Sequence, residues 1–138
     1  MASFNDQIIE DFRAKNGVLG GHWEGKTVML VHVPGRRTGK VTINPLVTAP
    51  DGDSWVICGS GGGAPKDPVW VGNLEALDGP VTVEYGTDTV QADVEVVRPG
   101  SGEWERLYGL WRAYWPDAAD YETKTDRKFP VARLTIKS

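Results

Sequence analysis

Two glycine-containing segments that carry cations are the parts of this sequence best suited to chemistry. The first, residues 35–40, reads Gly-Arg-Arg-Thr-Gly-Lys and is called the basic turn below. The second, residues 59–66, reads Gly-Ser-Gly-Gly-Gly-Ala-Pro-Lys and is called the glycine bend. Arginine matches phosphate and carboxylate with a planar fork, lysine adds a mobile charge, and glycine lets backbone N–H groups approach a ligand. We therefore predict that the two segments converge on one anionic ligand.

Each segment also has a simpler explanation. A basic turn is often a solvated hairpin tip, and a glycine run is often a flexible connection between a strand and a helix. The glycine bend lacks the Gly-Lys-Ser/Thr sequence of nucleotide hydrolases, and it lacks the helix and the acidic residue of the dinucleotide fingerprint. Neither segment alone identifies a ligand, so the hypothesis depends on the two lying close together.

The other reactive side chains do not form a second constellation. His22 and His32 lack the spacing of metal ligands, so we predict no metal site. Cys58 is the single cysteine, and its place at the end of an apolar run indicates a buried hydrophobic residue rather than a nucleophile. The sequence contains no Gly-x-Ser-x-Gly nucleophile elbow. Several carboxylates around Tyr121 are interpreted as a solvated helix face: Asp117, Asp120, Glu122 and Asp126.

The composition is that of a soluble globular protein. The chain has 138 residues, of which 40% are hydrophobic and 25% charged, and its formal net charge is −4. This length suits one domain over residues 1–138, and the negative charge argues against a nucleic-acid partner. No apolar stretch reaches membrane-spanning length and no signal-like start is present, so we expect no stable membrane insertion and a cytoplasmic location.

Helices and strands must position the two segments, and their order predicts the fold class. Helices are predicted over residues 3–15, 68–77 and 101–114, the first with its linker filling residues 1–20 and the second capped by Asp67. About six strands are predicted, over residues 27–33, 41–49, 55–58, 81–85, 89–97 and 131–136, with Pro45 marking an edge strand or a bulged strand. Because strands and helices do not alternate one for one, we expect a small, mainly antiparallel α+β barrel with flanking helices.

The order and spacing of several short motifs in this sequence resemble those of the deazaflavin-dependent nitroreductase family, whose members are reductases that use F420H2. The resemblance covers residues 16–134, most of the chain. It depends on the basic turn with Asn44-Pro45-Leu46, on Asp51-Gly52-Asp53, and on residues 60–70 with Asn73-Leu74. Near the end it depends on Tyr121, Thr125-Asp126-Arg127 and Pro130.

The resemblance implies a split β-barrel related to flavin-reductase and FMN-binding barrels, with the deazaflavin F420 as cofactor. It implies that the phosphate and oligoglutamate tail lie against the basic turn and that Tyr121 and Ser60 are the catalytic candidates. The cofactor contacts that it implies are Arg36, Arg37, Thr38, Lys40 and Thr42 for the tail, Asn44 and Pro45 beside the ring, Cys58, Gly59, Ser60, Gly61 and Gly62 at the ring edge, and Val69 and Trp70 as an apolar wall.

This chain departs from the family pattern at several of these positions. Thr42 stands where the family often has a basic residue, and Gly61 stands where it often has lysine. Trp115 and Ala118 replace tyrosines that lie over the ring in a nitroimidazole-reducing relative, which predicts an altered, roomier pocket.

The expected activity is hydride transfer from F420H2 to an electron-poor acceptor, namely a conjugated enone or lactone, a quinone or a nitroaromatic. Tyr121, Ser60 or water would supply the proton. Three alternatives stay open: an FMN-dependent reductase, a non-catalytic F420 carrier, and an interaction module whose basic turn meets an acidic partner. The sequence also leaves open whether the protein is a monomer or a homodimer, and whether the N-terminal helix packs on the barrel or covers the substrate.

Overall fold

Seven strands form a single antiparallel sheet in the structure, a computed structural model that describes residues 4–137. The strands are β1 (Val28–Pro34), β2 (Val41–Val47), β3 (Ala49–Asp51), β4 (Ser54–Cys58), β5 (Val81–Tyr85), β6 (Asp88–Val97) and β7 (Val131–Ile136). They lie in the order β2-β1-β5-β6-β7-β4-β3, and each pair of neighbours is antiparallel. Because β2 is an edge strand, the missing N–H of Pro45 breaks no ladder in the interior of the sheet, as predicted.

The sheet curls until its two edges approach each other. β2 and β3 lie at opposite edges, yet only Thr48 separates them in the chain. Thr48 is fully buried; its N–H donates to Thr27 O at 2.9 Å and its hydroxyl donates to Leu46 O at 2.9 Å. The result is a curled half-barrel with flanking helices, and the predicted split-barrel class is confirmed.

Within residues 4–137, four α-helices and a short 3₁₀ turn surround the sheet. They are α1 (Phe4–Ala14), the 3₁₀ turn (Gly21–Trp23), α2 (Val69–Ala76), α3 (Gly102–Tyr114) and α4 (Ala118–Glu122). α3 begins where the sequence predicts, because the Ser101 hydroxyl accepts the Trp104 N–H at 3.1 Å. α1 ends at Asn16 and Gly17, which both take positive φ, and the Gly17 N–H donates to Phe12 O at 2.8 Å.

Three apolar clusters pack the helices on the sheet. Alternate residues of β1 enter different clusters, so both faces of this strand are buried: Met29, Val31 and Val33 contact the α2 cluster, whereas Val28 and Leu30 contact the α1 cluster. A third cluster joins α3 to β4 and β7 through Trp104, Leu107 and Phe129 among others.

Two details of the predicted elements are wrong. The stretch predicted as one strand over residues 41–49 is divided at Thr48, so the sheet has seven strands rather than about six. Asp67 does not cap α2; Pro68 is the N-cap residue, and the Asp67 carboxylate instead pairs with Arg98 and Arg127. Ser3, where the first helix was predicted to begin, lies outside the described residues. Within residues 4–137, no helix has both the length and the apolar character needed to cross a bilayer.

Candidate active site

A groove of about 1040 Å³ runs along β2 and is the candidate site. β2 forms one wall over its whole length, about 20 Å from Val41 to Val47 at strand rise. The glycine bend and the start of α2 form the facing wall, and the first turns of α1 close one side. The remaining lining is mainly aromatic and comes from Trp23, Trp70, Trp111, Trp115 and Tyr121.

The glycine bend is held from behind by Arg127. Its guanidinium donates to three backbone carbonyls of the bend, those of Gly59, Ser60 and Ala64, at 3.1, 2.9 and 3.0 Å. It also pairs with Asp67 at 2.5 Å and lies over the ring of Phe129. Three hydrogen bonds from one guanidinium therefore hold the bend, which the simpler explanation of its sequence would have made a flexible connection.

Two glycines of the bend are required for packing. A Cβ added at Gly59 would lie 2.6 Å from Val71 of α2, and one added at Gly63 would lie 2.7 Å from the carbonyl oxygen of Tyr121. Gly63 also has a φ of +89°, which disfavours any side chain. Gly59 does not line the groove, although it was predicted as a cofactor contact; its small size instead lets α2 approach β4.

The basic turn adjoins the Thr42 end of the groove. Arg36 points to α2, where its N–H and guanidinium both donate to the Asn73 side-chain oxygen, at 3.2 and 2.8 Å. Asn73 is buried and lines the groove, so this contact joins the turn to the groove wall. Arg37 and Lys40 are exposed, and within residues 4–137 neither side chain has a hydrogen bond or ion pair. The basic turn and the glycine bend thus border the same groove.

The conformation of the turn itself depends on two residues. The Thr38 hydroxyl accepts the Lys40 N–H at 3.2 Å, and Gly39 has a φ of +76° that lets the chain reverse into β2. On β2, the Asn44 amide donates to Val31 O and to Thr42, at 3.3–3.4 Å, which fixes its orientation along the groove. Thr38 therefore shapes the turn and lies outside the groove lining, whereas Thr42, Asn44 and Pro45 line it.

The aromatic end of the groove is centred on Tyr121. The indole N–H of Trp115 donates to the Tyr121 hydroxyl at 3.2 Å, so the phenolic proton is free to point elsewhere. His22 lies edge-on to both Trp23 and Trp115, and its ring nitrogen bonds Asp117 at 2.6 Å. The Trp111 N–H donates to Val47 O, which places this end opposite the basic turn along β2.

Cys58 and Ser60 lie together at the base of the groove. Cys58 is buried, as predicted, and burial raises the pKa of its thiol well above the ordinary value, which favours the neutral form. The Ser60 hydroxyl accepts the Gly62 N–H at 3.4 Å and keeps its own proton available to the groove.

Most of the predicted site residues meet in this groove. Those lining it are Thr42, Asn44, Pro45, Cys58, Ser60, Gly61, Gly62, Val69, Trp70 and Tyr121. Those outside the lining are Arg36, Arg37, Thr38, Lys40 and Gly59. Of the two family departures at the aromatic end, Trp115 lines the groove, but Ala118 is fully buried in the core and does not widen the pocket.

Sequence reasoning missed several residues of the site. Asn73 and Arg127 stood in motifs that carried the resemblance, but neither was given a role. Phe4 and Ile8 fall in the helix predicted over residues 3–15, and the structure shows that α1 packs on the barrel while its first residues line the groove. Among the described residues, no three or more His, Cys, Asp or Glu side chains are grouped so that they could hold a metal ion.

A half-barrel groove that joins exposed cations to an aromatic end has the shape and charge that would suit an elongated, flat anion. Comparison with known proteins agrees with this class. The profile of the F420H2-dependent quinone reductase family matches residues 6–135. An F420H2-dependent quinone reductase of Mycobacterium tuberculosis (strain ATCC 25618 / H37Rv) is 30% identical over 126 residues, 90% of this chain and 84% of that protein.

Two solved structures also resemble this one. The F420-H2 dependent reductase FDR-A aligns with a TM-score of 0.66 at 29% identity, covering 78% of this chain and 92% of its own. A domain-swapped dimer aligns with a TM-score of 0.69 at 25% identity, covering 94% of each chain.

The chain belongs to the F420H2-dependent quinone reductase family. It is an F420H2-dependent oxidoreductase, which confirms the resemblance to deazaflavin-dependent reductases, and its cofactor is F420. The FMN alternative gains no support from these relatives.

Proposed function

We propose that this protein reduces a quinone with F420H2 inside the groove along β2. The observation that carries the proposal is that one groove connects the basic turn to the aromatic end that contains Tyr121. Its volume of about 1040 Å³ lies at the upper end of ordinary ligand pockets, which suits a tricyclic cofactor together with an acceptor.

The residues present fit F420 at both of its ends. Arg37 and Lys40 are cations without protein partners in the described chain, and they are suited to the phosphate and oligoglutamate tail. Arg36 anchors the turn through Asn73, and because that partner is a neutral amide, the guanidinium keeps its charge and its other N–H donors for the ligand. Thr42, Asn44 and Pro45 would border the ring on one side, and Val69 and Trp70 on the other.

The chemistry that F420H2 supplies when bound is transfer of a hydride to an electron-poor acceptor. The side chains of the groove have to exclude water, orient the two molecules and deliver a proton. Two hydroxyl groups are available for the proton. Tyr121 accepts a hydrogen bond from Trp115, and Ser60 accepts one from Gly62, so each keeps its own O–H for a ligand. A Tyr121→Phe and a Ser60→Ala variant separate these donors, and unchanged kcat in both would assign the proton to water.

Binding and turnover together test the proposal. We expect purified protein to bind oxidised F420 in a fluorescence titration and to oxidise F420H2 anaerobically when a quinone is added. Enones, lactones and nitroaromatics assayed beside the quinone would rank the acceptor classes. Absence of F420 binding would overturn the proposal, and binding without turnover on any acceptor would favour the carrier function. A yellow protein with bound flavin would instead favour FMN, and binding of an acidic protein without F420 binding would favour the interaction module.

The assembly and the location of the protein are separate proposals. A structural neighbour is a domain-swapped dimer, so we propose a homodimer for this chain and a monomer as the alternative, to be distinguished by light scattering. The single cysteine is buried and unpaired, which suits a reducing compartment and supports a cytoplasmic location. Cell fractionation with a tagged chain tests this.

A further inference from the structure

The hydrogen bonds of the glycine bend leave the backbone N–H of Gly61 unpaired. The Gly62 N–H donates to the Ser60 hydroxyl, the Gly63 N–H to Ser60 O, and the Ala64 N–H to Gly61 O. The Gly61 N–H has no partner among the described residues, and Gly61 lines the groove. Since ligand-facing N–H groups are normally paired, this donor is available to a ligand.

The direction of this donor follows from Arg127. In a trans peptide the carbonyl of one residue and the N–H of the next point in opposite directions. Arg127, which is not among the groove-lining residues, donates from Nη2 to the Ser60 carbonyl at 2.9 Å, so the Gly61 N–H of the same peptide points away from Arg127, and Gly61 lines the groove. The same guanidinium also donates to the Gly59 and Ala64 carbonyls, and these two hydrogen bonds hold the backbone of the bend on both sides of this peptide.

We propose that Arg127 is a positioning residue that aims the Gly61 N–H at a hydrogen-bond acceptor on the F420 ring. The proposal rests on the proposed function, because it takes F420 as the ligand of the groove. Arg127 does not touch the ligand itself; it acts through the peptide between Ser60 and Gly61.

The chemistry of this position requires arginine. Only a planar fork can donate to three carbonyls and a carboxylate at once, whereas the ammonium of lysine is a point charge with shorter reach. The Arg127 side chain is 15% exposed and is covered by Phe129, so water competes weakly for these contacts. Arg98 offers a matched control, because it pairs with the same Asp67 at 2.6 Å but touches no carbonyl of the bend.

The test compares Arg127→Ala, Arg127→Lys and Arg98→Ala with the wild type. The Kd of oxidised F420 is measured by fluorescence, and the Gly61 amide is followed by ¹⁵N–¹H NMR with and without F420. We expect Arg127→Ala to raise the Kd on the order of tenfold, the effect of one lost hydrogen bond in a shielded site. Added guanidinium chloride, at concentrations far below denaturing, should restore binding when compared with equal sodium chloride. Arg98→Ala should bind as the wild type does.

Three results would overturn the proposal. The first is a folded Arg127→Ala protein that binds F420 within twofold of the wild type, and the second is a Gly61 amide that does not shift on binding. If Arg127→Ala fails to fold, Arg127→Lys decides, and wild-type affinity in that variant is the third. Failure of the proposed function looks different, because the wild type itself would then not bind F420.

Discussion

The glycine bend and the basic turn border the same groove, but they are built in opposite ways. In the bend, one guanidinium fixes three carbonyls, and two glycines are required for close packing. In the basic turn, Arg36 alone is fastened, and Arg37 and Lys40 extend into solvent. One region is therefore fixed by internal contacts and presents backbone groups to the groove, whereas the other presents exposed cations.

This difference separates two tasks of a binding site. A preorganised N–H loses little entropy on binding and selects the orientation of the ligand. Exposed cations attract an anion over a distance close to the Debye length, and salt weakens that attraction. We therefore expect changes in the bend to affect stability and geometry, and changes in the turn to affect affinity in a salt-dependent way.

The largest effect is expected from Gly63→Ala. The new methyl group would lie 2.7 Å from the Tyr121 carbonyl oxygen at a residue with a φ of +89°. Strain and overpacking together should lower the free energy of unfolding by about 2–4 kcal/mol. Urea denaturation measures this change.

Gly62→Ala is the matched control for this variant. Gly62 has a similar φ of +68°, but no atom lies within 4 Å of its added Cβ. Gly62→Ala should lower the free energy of unfolding only through the unfavourable left-handed backbone conformation, by about 1 kcal/mol. Equal losses in the two variants would show that the bend does not pack against Tyr121 as described.

A smaller effect, on affinity, is expected from the double variant Arg37→Ala with Lys40→Ala. Loss of two exposed cations should raise the Kd of F420 about tenfold at low ionic strength. The difference from wild type should shrink as sodium chloride is added, while the free energy of unfolding stays nearly unchanged.

A control for the charge itself is Lys15→Ala with Lys137→Ala, which removes two cations outside the groove lining. This pair should leave the Kd almost unchanged. If the affinity of the turn variant for F420 were lowered equally at all salt concentrations, Arg37 and Lys40 would instead contribute through specific contacts rather than through their charge.

Trp115→Phe examines the aromatic end and should lower kcat about fivefold. Its indole N–H donates to the Tyr121 hydroxyl at 3.2 Å, and if Tyr121 is the proton donor, that bond would stabilise the phenol oxygen as its proton leaves. A larger solvent isotope effect on kcat should accompany the loss. Trp104→Phe removes a comparably buried indole that donates to Phe129 O at 2.8 Å, away from the groove, and should not change kcat. Equal kcat in Trp115→Phe and wild type would argue against Tyr121 as the proton donor.

Local signals in the sequence predicted much of the fold. The β5–β6 hairpin follows from two runs of alternating apolar and polar residues around the turn at Gly86, and β7 follows from its own run of strand-forming residues. Both signals lie in residues that are close together in the chain. The Ser101 cap and the Gly17 ending of α1 follow from short-range chemistry in the same way.

The features that could not be predicted from the sequence depend on contacts between residues far apart in the chain. Asp67 looked like a helix cap, but Arg127, which lies 60 residues away in the chain, draws its carboxylate elsewhere. A strand pattern over residues 41–49 does not reveal that the chain leaves one sheet edge at Thr48 and joins the other. Gly59 was interpreted as a ligand contact, and only the position of Val71 shows that it is a packing residue.

The smallest expected effect comes from α1, the third wall of the groove, which packs on the sheet through Ile8 and Phe12 and carries an ion pair to Glu84 of β5 near its C-terminal end. Arg13 near its end donates two hydrogen bonds to Glu84 at 3.0 and 2.7 Å, and His32 shares the same carboxylate at 2.6 Å. The hydrogen bonds from Arg13, and then that from His32, lower the pKa of Glu84 below its ordinary 4.5. A lowered folded-state pKa stabilises the protein above pH 4.5, and this stabilisation is lost as the pH falls through the folded value.

Glu84→Gln should therefore cost about 0.5–1 kcal/mol at neutral pH, and its difference from wild type should shrink as the pH falls below 4.5. Glu95→Gln, in an exposed pair with Arg133 at 3.5 Å, is the control. If Glu84→Gln also weakens F420 binding at neutral pH, α1 helps to position the ligand, as we propose for the glycine bend. If the Kd is unchanged, α1 covers the groove without shaping it, and its ion pair contributes to stability alone.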